Sequence, residues 1–251
     1  MRKNSTVALL VSLLTIVALA APAAAAHSWS TYHWARTTSS FTLALGDNVD
    51  TTWDSYLTTS SSQWSMATVL DTKVVSGSTT GRRCRAAAGR VEVCSAAYGQ
   101  NGWLGLASIS LSGTHITQGT VKVNDTYFVM PQYNTPAERA HVMCQEIGHT
   151  FGLGHTSEDG TSQQTCMDYS TSSLSTAPNQ HDYDQLASIY AHLDSTSTVG
   201  AAAGSTSPAT VGNDRSSWGQ EVDRSADGKQ STYVRDFGNG QSVVTEVTWA
   251  L

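Results

Sequence analysis

The spacing of apolar and polar positions changes from a strand-like to a helix-like period along the chain, and this change predicts a mixed α+β fold. Short runs rich in β-branched and apolar residues predict strands in the first half. The predicted strands cover residues 41–45, 69–76, 90–97 and 104–111, with a further strand or hairpin over residues 119–130. Trp53, Leu57 and Trp64 stand at helical spacing within residues 52–66, which predicts a helix between the first two strands.

Two more helices are predicted in the second half of the chain. Thr135 can cap a helix that starts with Pro136, whose ring needs no backbone donor, and Glu138 completes the capping pattern. This helix should end just before Gly152, because glycine adopts backbone angles that terminate helices. A second apolar face with helical spacing predicts another helix over residues 183–192.

The N-terminal residues 1–26 have the pattern of a secretory signal peptide. Arg2 and Lys3 precede an uncharged apolar run over residues 7–20, and a stretch of small residues then supplies a cleavage site before His27. The apolar run is shorter than the roughly 20 residues that span a bilayer, so an uncleaved anchor is the less favoured alternative. No other segment is predicted to cross a membrane, and we expect a secreted, extracellular protein.

The mature chain divides by composition into three parts. Residues 27–194 are long enough for one main domain with a full core. Residues 195–214 are rich in Ser, Thr, Ala and Gly and follow neither period, which predicts a linker. Residues 215–251 contain two strand-like runs around a Gly-Asn-Gly turn and predict a hairpin. A lone hairpin is marginally stable, so it should dock on the main domain or pair with residues 218–222. We assign it no chemistry and expect its removal to leave the candidate site intact.

Charge and cysteine content narrow the class of protein. Charged residues make up 14% of the chain and the net charge is -6, with Lys and Arg scattered, which argues against a nucleic-acid or membrane partner. We expect a monomer. The four cysteines of an exported chain predict two disulfides, for which three pairings exist. The simplest choice is a local bridge between Cys84 and Cys94, which leaves Cys144 to pair with Cys166.

Candidate metal ligands lie on the capped helix. Gln145 and His149 are four residues apart, so they share one helical face at about 6 Å along the axis. Gly152 can turn the chain so that His155 reaches the same point, and Glu146 stands beside it as a candidate general base. The segment from Gln145 to His155 resembles the metzincin zinc-peptidase signature H-E-x-x-H-x-x-G-x-x-H, with glutamine at the first position.

Two further segments extend this resemblance. Residues 166–169, with Met167 and Tyr169, resemble the Met-turn, and residues 178–193 resemble the closing helix of a matrixin-like domain. The resemblance implies that residues 27–194 form a metzincin-like catalytic domain. Such an α+β domain has a twisted mixed sheet, an active-site helix, a second long helix and a small C-terminal subdomain after the Met-turn.

The resemblance also implies a function. A zinc ion held by Gln145, His149 and His155 would polarise a scissile carbonyl, Glu146 would take a proton from the metal-bound water, and Tyr169 would stabilise the oxyanion. The implied activity is that of a secreted zinc endopeptidase, with proteins or peptides as substrates.

Glutamine at the first ligand position leaves alternatives open. The amide oxygen of Gln145 is a poorer zinc ligand than imidazole or carboxylate, so zinc affinity should fall. Glu146 could instead join His149 and His155 on the metal, in which case the general base would be lost. A catalytically impaired pseudoenzyme that serves as an extracellular binding module is the main alternative function. A purely structural, disulfide-stabilised surface protein is a weaker one.

The other histidines and one acidic loop complete the list of candidate ligands. His141 lies about 12 Å along the helix from His149 and cannot share its ion. We interpret His141, His27, His33 and His192 as ordinary surface or core residues, while His115 and His181 could approach the site through the fold. The loop over residues 158–160 offers weak support for Ca²⁺, and a solvated turn is the favoured interpretation.

Overall fold

The computed structural model describes residues 28–157, 159–201 and 211–251. The predicted signal peptide, His27 and residues 202–210 of the predicted linker lie outside these residues. The helices and strands are, in chain order, β1 His33–Trp34, β2 Phe41–Asn48, α1 Asp54–Trp64, β3 Leu70–Ser76, β4 Val91–Ala96, β5 Trp103–Ser112, β6 His115–Asn124, α2 Asp125–Phe128, α3 Pro136–His149, α4 Gln180–Ile189, α5 Arg215–Trp218, β7 Gln220–Arg224, β8 Gln230–Gly238 and β9 Gln241–Trp249.

One large mixed sheet dominates the fold. Its strand order is β3-β2-β4-β6-β5-β9-β8-β7, and β1 pairs with β6 outside this path. Strands β3, β2, β4 and β6 are parallel to one another, whereas β5 runs antiparallel to β6 and forms an antiparallel half with β9, β8 and β7. The predicted α+β class with a mixed sheet and few helices is therefore confirmed.

Local hydrogen bonds explain where two elements differ from their predicted bounds. The strand predicted over residues 119–130 ends at Asn124, whose side chain accepts a hydrogen bond from the amide of Thr126 and caps α2. The helix predicted over residues 183–192 begins earlier, because Asn179 and Asp182 form a reciprocal capping box at its start.

Two apolar cores lie on opposite sides of the antiparallel half of the sheet. The larger core packs α1, α3 and α4 against the sheet and includes Trp53, Trp64 and Ile147. The smaller one is built on β5, β8 and β9 with the segment that leads into α5, and its members are Trp103, Leu106, Val211, Trp218, Tyr233, Val243, Val247 and Trp249. The C-terminal strands thus help to form a core of their own with β5.

The C-terminal hairpin is an integral part of the sheet. Strands β8 and β9 form the predicted hairpin, and β9 lies between β8 and β5, with Ala107 opposite Glu246 and Gly105 opposite Thr248. The expectation that this segment stands apart from the candidate site is wrong. The hydroxyl of Thr248 is 2.6 Å from Oε1 of Glu146 on α3, which places β9 directly over the helix that carries the motif.

Both predicted disulfides are confirmed. Cys84 is bonded to Cys94, and Cys144 of α3 is bonded to Cys166 in the loop that follows. The predicted start of α3 is confirmed as well, because the side chain of Thr135 accepts a hydrogen bond from the amide of Glu138. Within the described residues, none of the helices has the length and apolar character needed to cross a bilayer.

Candidate metal centre

The C-terminal half of α3 carries the motif and faces β5. Gln145, Glu146 and His149 are fully buried there. Strand β5 can come this close because Gly105 and Ala107, two positions apart on one face, have little or no side chain. A Cβ atom on Gly105 would lie 2.3 Å from Oε1 of Glu146. The small residues of β5 therefore make room for the buried carboxyl group.

A tight turn after α3 brings His155 back towards His149. Gly152 has a φ of +93°, and a Cβ atom there would lie 2.2 Å from the carbonyl oxygen of Tyr32, so both its conformation and its packing require glycine. The same turn places the carbonyl of Leu153 2.9 Å from Nδ1 of His149. Because a carbonyl only accepts, Nδ1 carries the proton and Nε2 of His149 has the lone pair that a metal ion needs.

Three buried side chains converge at the end of this turn. The rings of His149 and His155 meet edge to face with their centroids 4.5 Å apart. Glu246 of β9 approaches His155, with Oε1 3.8 Å from Nδ1, and its Oε2 accepts a hydrogen bond from Thr232 at 2.7 Å. One ligand atom each from His149, His155 and Glu246 lies within 4.8 Å of the other two. Two imidazoles and a carboxylate form a donor set suited to zinc.

The amide group of Gln145 is engaged with its neighbours. Its nitrogen donates to the backbone carbonyl of Asp168 at 3.0 Å. Its oxygen accepts from the side-chain nitrogen of Gln230 at 2.9 Å and lies 3.1 Å from the hydroxyl of Thr248. Gln145 therefore links α3 to the Met-turn on one side and to the C-terminal hairpin on the other.

Burial shifts the pKa values of Glu146 and His149 in opposite directions. Burial raises the pKa of Glu146 to about 8, although the hydrogen bond from Thr248 and the nearby backbone amide of Ala107 oppose this shift. Burial lowers the pKa of His149 to about 4, against the opposing effect of the Leu153 carbonyl. Desolvation disfavours the charged form of each group. At neutral pH, His149 is therefore neutral and Glu146 is mostly protonated.

The position of one proton connects Glu146 to Gln145. The hydroxyl of Thr248 has a single proton but lies near three oxygen atoms, those of Glu146 at 2.6 Å, Gln145 at 3.1 Å and Gln230 at 3.1 Å. A protonated Glu146 can donate to this hydroxyl, which then donates to Gln145. The network thus accommodates the proton that a raised pKa keeps on Glu146.

The predicted Met-turn lies directly beneath α3. Met167 is fully buried, and a Cβ atom on Gly148 would lie 2.6 Å from its sulfur atom. The carboxylate of Asp168 accepts hydrogen bonds from the amide of Ser170 and the hydroxyl of Ser175, both at 2.9 Å, which fixes the shape of the turn. Tyr169 then places its hydroxyl 2.9 Å from Nδ1 of His155. The turn therefore positions a candidate ligand ring.

Trp29 covers the ring of His149. Its ring stacks on that of His149 with centroids 5.0 Å apart, and its amide donates to the carbonyl of Gly152 at 2.8 Å. A small cavity of about 80 Å³ is lined by Tyr169, Thr248 and several neighbouring residues. Glu146 and His149 are thus enclosed in this conformation, and the cavity lies between residues 169–171 and β9.

The remaining candidates lie elsewhere. His141 is bonded through Nδ1 to the carbonyl of Ser175 at 2.6 Å, as an ordinary buried histidine would be. His181 is partly exposed on α4, with Nδ1 3.7 Å from Asp182. In the acidic loop, Glu158 lies outside the described residues, and the carboxylate of Asp159 accepts hydrogen bonds within its own turn.

Sequence reasoning missed the contribution of β9. Glu246 and Thr248 are two positions apart, so both face α3, while Val247 between them faces the smaller core. A glutamate within the otherwise apolar and β-branched segment Gln241–Trp249 was the available signal. The pairing partner of a C-terminal strand cannot be read from local pattern, however, and Glu246 had no place in the motif.

The buried carboxyl group gives the metal-free protein a specific pH dependence. Because the pKa of Glu146 is about 8 when folded and 4.5 when unfolded, the folded state holds an extra proton at neutral pH and must release it as the pH rises. We expect this release to lower the free energy of unfolding by about 1.4 kcal/mol between pH 7 and pH 9. Above pH 7, His149 is mostly neutral in both states and contributes little.

Urea unfolding in the presence of a chelator, at steps across this pH range, measures the effect. Glu146→Gln serves as the control, because it keeps the shape of the side chain but removes the titration. The difference in slope between the two proteins reports Glu146 alone. Parallel pH profiles for wild type and Glu146→Gln would show that the carboxyl group is already ionised in the folded state.

Comparison of this chain with protein-family models, with curated proteins and with solved structures finds no match, so assignment of the centre rests on the residues and geometry described above.

Proposed function

We propose that this chain is a secreted zinc-dependent endopeptidase with a metzincin-like fold, whose metal is held by His149, His155 and Glu246 and whose general base is Glu146. The observation that carries the proposal is a pair of buried atoms. Among the described residues, Nε2 of His149 and Oε2 of Glu146 are buried without a hydrogen-bond partner. Buried polar atoms are rarely left in this state unless a ligand or a catalytic role accounts for them.

The donor set supports a catalytic type of metal site. His149 holds its lone pair on Nε2 because the Leu153 carbonyl fixes its tautomer, and His155 is oriented by the hydroxyl of Tyr169. Glu246 supplies the negative charge that Gln145 lacks. A zinc ion bound by two histidines and one glutamate would polarise a peptide carbonyl and lower the pKa of water.

The proposal favours Glu246 over Gln145 as the third ligand. The oxygen of Gln145 already accepts a hydrogen bond from Gln230 and approaches Thr248, while its nitrogen is held by the carbonyl of Asp168. If this oxygen bound a metal instead, the buried donor groups of Gln230 and Thr248 would lose their acceptor, which costs about 1–3 kcal/mol for each group. In this proposal Gln145 is a positioning residue that joins α3 to the hairpin carrying Glu246.

Glu146 has the properties of a general base. Its Oε1 is held by Thr248, which leaves Oε2 to accept a proton from an attacking water and to pass that proton to the leaving amine. Its pKa of about 8 applies to the metal-free protein, and a bound cation nearby would favour the ionised form that accepts a proton. Tyr169, one hydrogen bond from His155, would assist an oxyanion in this proposal.

A second candidate function is favoured by the closure of the centre. Glu146 and His149 are fully buried, with Thr248 bonded to Glu146 and Trp29 stacked on His149. A peptide carbonyl can reach Glu146 only if one of these covers moves. The alternative is therefore a metal-binding extracellular module that recognises a protein or peptide without cutting it.

Extracellular location is part of the proposal. It is supported by the signal-peptide pattern of residues 1–26 and by the two disulfides, which persist in oxidising compartments. The proposed partners are protein or peptide substrates, without nucleic acid or membrane, and the proposed state is a monomer.

Metal analysis and a broad peptide-library cleavage assay on the mature chain test both candidates. We expect wild type to bind zinc at this centre and to cleave peptides. Glu146→Gln should keep the metal but lose about 10²–10⁴-fold in turnover, because it removes only the base. His149→Ala should lose both metal and turnover. His141→Ala is the matched control, because His141 is a buried histidine on the same helix without a role in the proposed site. This variant should retain both metal and turnover.

The possible outcomes separate the two candidates. Zinc binding by wild type without any cleavage would favour the binding module. If Glu146→Gln loses zinc as completely as His149→Ala, then Glu146 is a ligand and the proposed base is wrong.

A further inference from the structure

A second group of ligand-type side chains lies at the edge of the sheet, away from α3. Nε2 of His33 and Nε2 of His115 lie 3.3 Å and 3.2 Å from the same atom, Oδ1 of Asp194. Nε2 of His192 is 3.1 Å from Nε2 of His33 and 3.7 Å from that carboxylate oxygen. Three imidazole nitrogens and one carboxylate oxygen therefore gather around one point.

Backbone pairing brings these residues together. His33 of β1 lies directly opposite His115 of β6, so the two side chains share a face of the sheet. The chain after α4 runs back along β1, where the amide of Asp194 donates to the carbonyl of Arg36 at 2.8 Å. The guanidinium of the buried Arg36 also donates to the carbonyl of His192 at 2.6 Å. The cluster is thus held by three segments that are distant in sequence.

The tautomer of His33 is set for metal binding. Its Nδ1 lies 2.7 Å from the carbonyl oxygen of Thr31, so Nδ1 donates and Nε2 of the neutral ring carries a lone pair. This lone pair faces the Asp194 carboxylate, itself an acceptor, and the nitrogen of His192. Asp194 is fixed in turn, because its other oxygen accepts the backbone amide of Arg36 at 3.0 Å. Converging acceptors of this kind require a shared cation or a proton.

We propose that His33, His115 and Asp194, completed by His192, form a second zinc site that is structural in type. Ligand atoms of tetrahedral zinc at ordinary bond lengths lie about 3.4 Å apart, close to the spacings seen here. The ligand atoms of His33, His115 and Asp194 all lie within 4.8 Å of one another. Side chains of His115 and His192 are 37% and 53% exposed, so an ion can enter and the His192 ring can rotate to join it.

Four protein ligands leave no position for water, which distinguishes this site from the centre on α3. A bound ion would join the segment around β1 to the segment after α4. The segment around β1 also carries Trp29, whose ring covers His149. The second site would therefore stabilise the cover of the first without taking part in its chemistry.

Zinc titration by calorimetry, with elemental analysis, tests the proposal on the mature chain after treatment with a chelator. Wild type should bind zinc at two sites. His115→Ala should abolish zinc binding at the second site and leave the α3 centre intact. His192→Ala should weaken binding at the second site. His33→Ala should also abolish it, which guards against an effect of a single variant on the fold. His181→Ala is the matched control, because His181 is partly exposed beside an aspartate but stands outside the cluster. It should keep the wild-type zinc content.

Thermal unfolding supplies a second readout. At a zinc concentration a hundredfold above Kd, the site should raise Tm by roughly 5–10 °C, and His115→Ala should lose this gain. His149→Ala should lose zinc binding at the α3 centre but retain the zinc binding that depends on His115. The second site can therefore be tested even if the α3 centre binds no zinc. The proposal is overturned if His33→Ala and His115→Ala both keep the full zinc content of wild type, or if His149→Ala alone removes all bound zinc.

Discussion

Glu246→Gln is expected to release the metal from the α3 centre while leaving the fold intact. The change removes the only acidic member of the proposed ligand set but keeps a side chain that can still accept from Thr232, which now bonds to Glu246 at 2.7 Å. Changes to outer hydrogen-bond partners of a metal site typically cost about 10–100-fold in affinity. Loss of a ligand should exceed this range. Zinc competition with a chromogenic chelator measures the affinity.

A double variant makes this test more specific. Gln145→His places an imidazole one helical turn before His149, at the first position of the H-E-x-x-H pattern. Added to Glu246→Gln, it should restore zinc binding. Glu221→Gln on β7 is the control for a glutamate change in the same hairpin region, because Glu221 pairs with Arg224 near the surface. If Gln145→Ala loses the metal and Glu246→Gln does not, Gln145 is the third ligand.

Deletion of the chain after residue 213 is expected to abolish cooperative folding as well as metal binding. The deletion uncovers the whole edge of β5 and removes most of the smaller core, which leaves Trp103 and Leu106 exposed. Loss of burial at about 1.5–3 kcal/mol for each large apolar side chain approaches the total stability of about 5–15 kcal/mol for a typical domain. Glu246 and Thr248 are lost with it.

Near-ultraviolet circular dichroism and urea unfolding measure this loss. Thr248→Ala is the matched point variant, since it keeps β9 but removes the hydroxyl beside Glu146, and it should cost only about 1–2 kcal/mol. A truncated protein that unfolds cooperatively and still binds zinc would show that residues 27–213 fold without the C-terminal strands. It would also show that Glu246 is dispensable.

Local pattern was sufficient to predict most elements and the cap of α3. The alternation in β2, the apolar face of α1 and the Thr135 cap of α3 depend on neighbours within a few residues. Pairing of Cys144 with Cys166 was also predictable, because four cysteines allow few combinations and one local bridge excludes the rest. The two shifted bounds, at β6 and α4, were set by asparagine caps.

The composition of both candidate metal sites depends on long-range pairing and could be predicted only in part. His149 and His155 follow from a motif on one helix and its turn. Glu246 joins them through the pairing of β9 with β5, which no local pattern encodes. Likewise, His33 and His115 meet only because β1 pairs with β6, so the interpretation of His33 and His192 as unrelated surface or core residues missed their proximity.

The insertion of β9 between β5 and β8 also bears on when the centre can form during synthesis. Glu146 and its partner Thr248 are separated by 102 positions, and β9 follows every other described element. A nascent chain that has released α3 and the Met-turn from the ribosome still lacks the strand that closes the site. Contacts of such long range form late and slow folding. Translation order alone therefore delays assembly of the candidate metal centre until the sheet is complete.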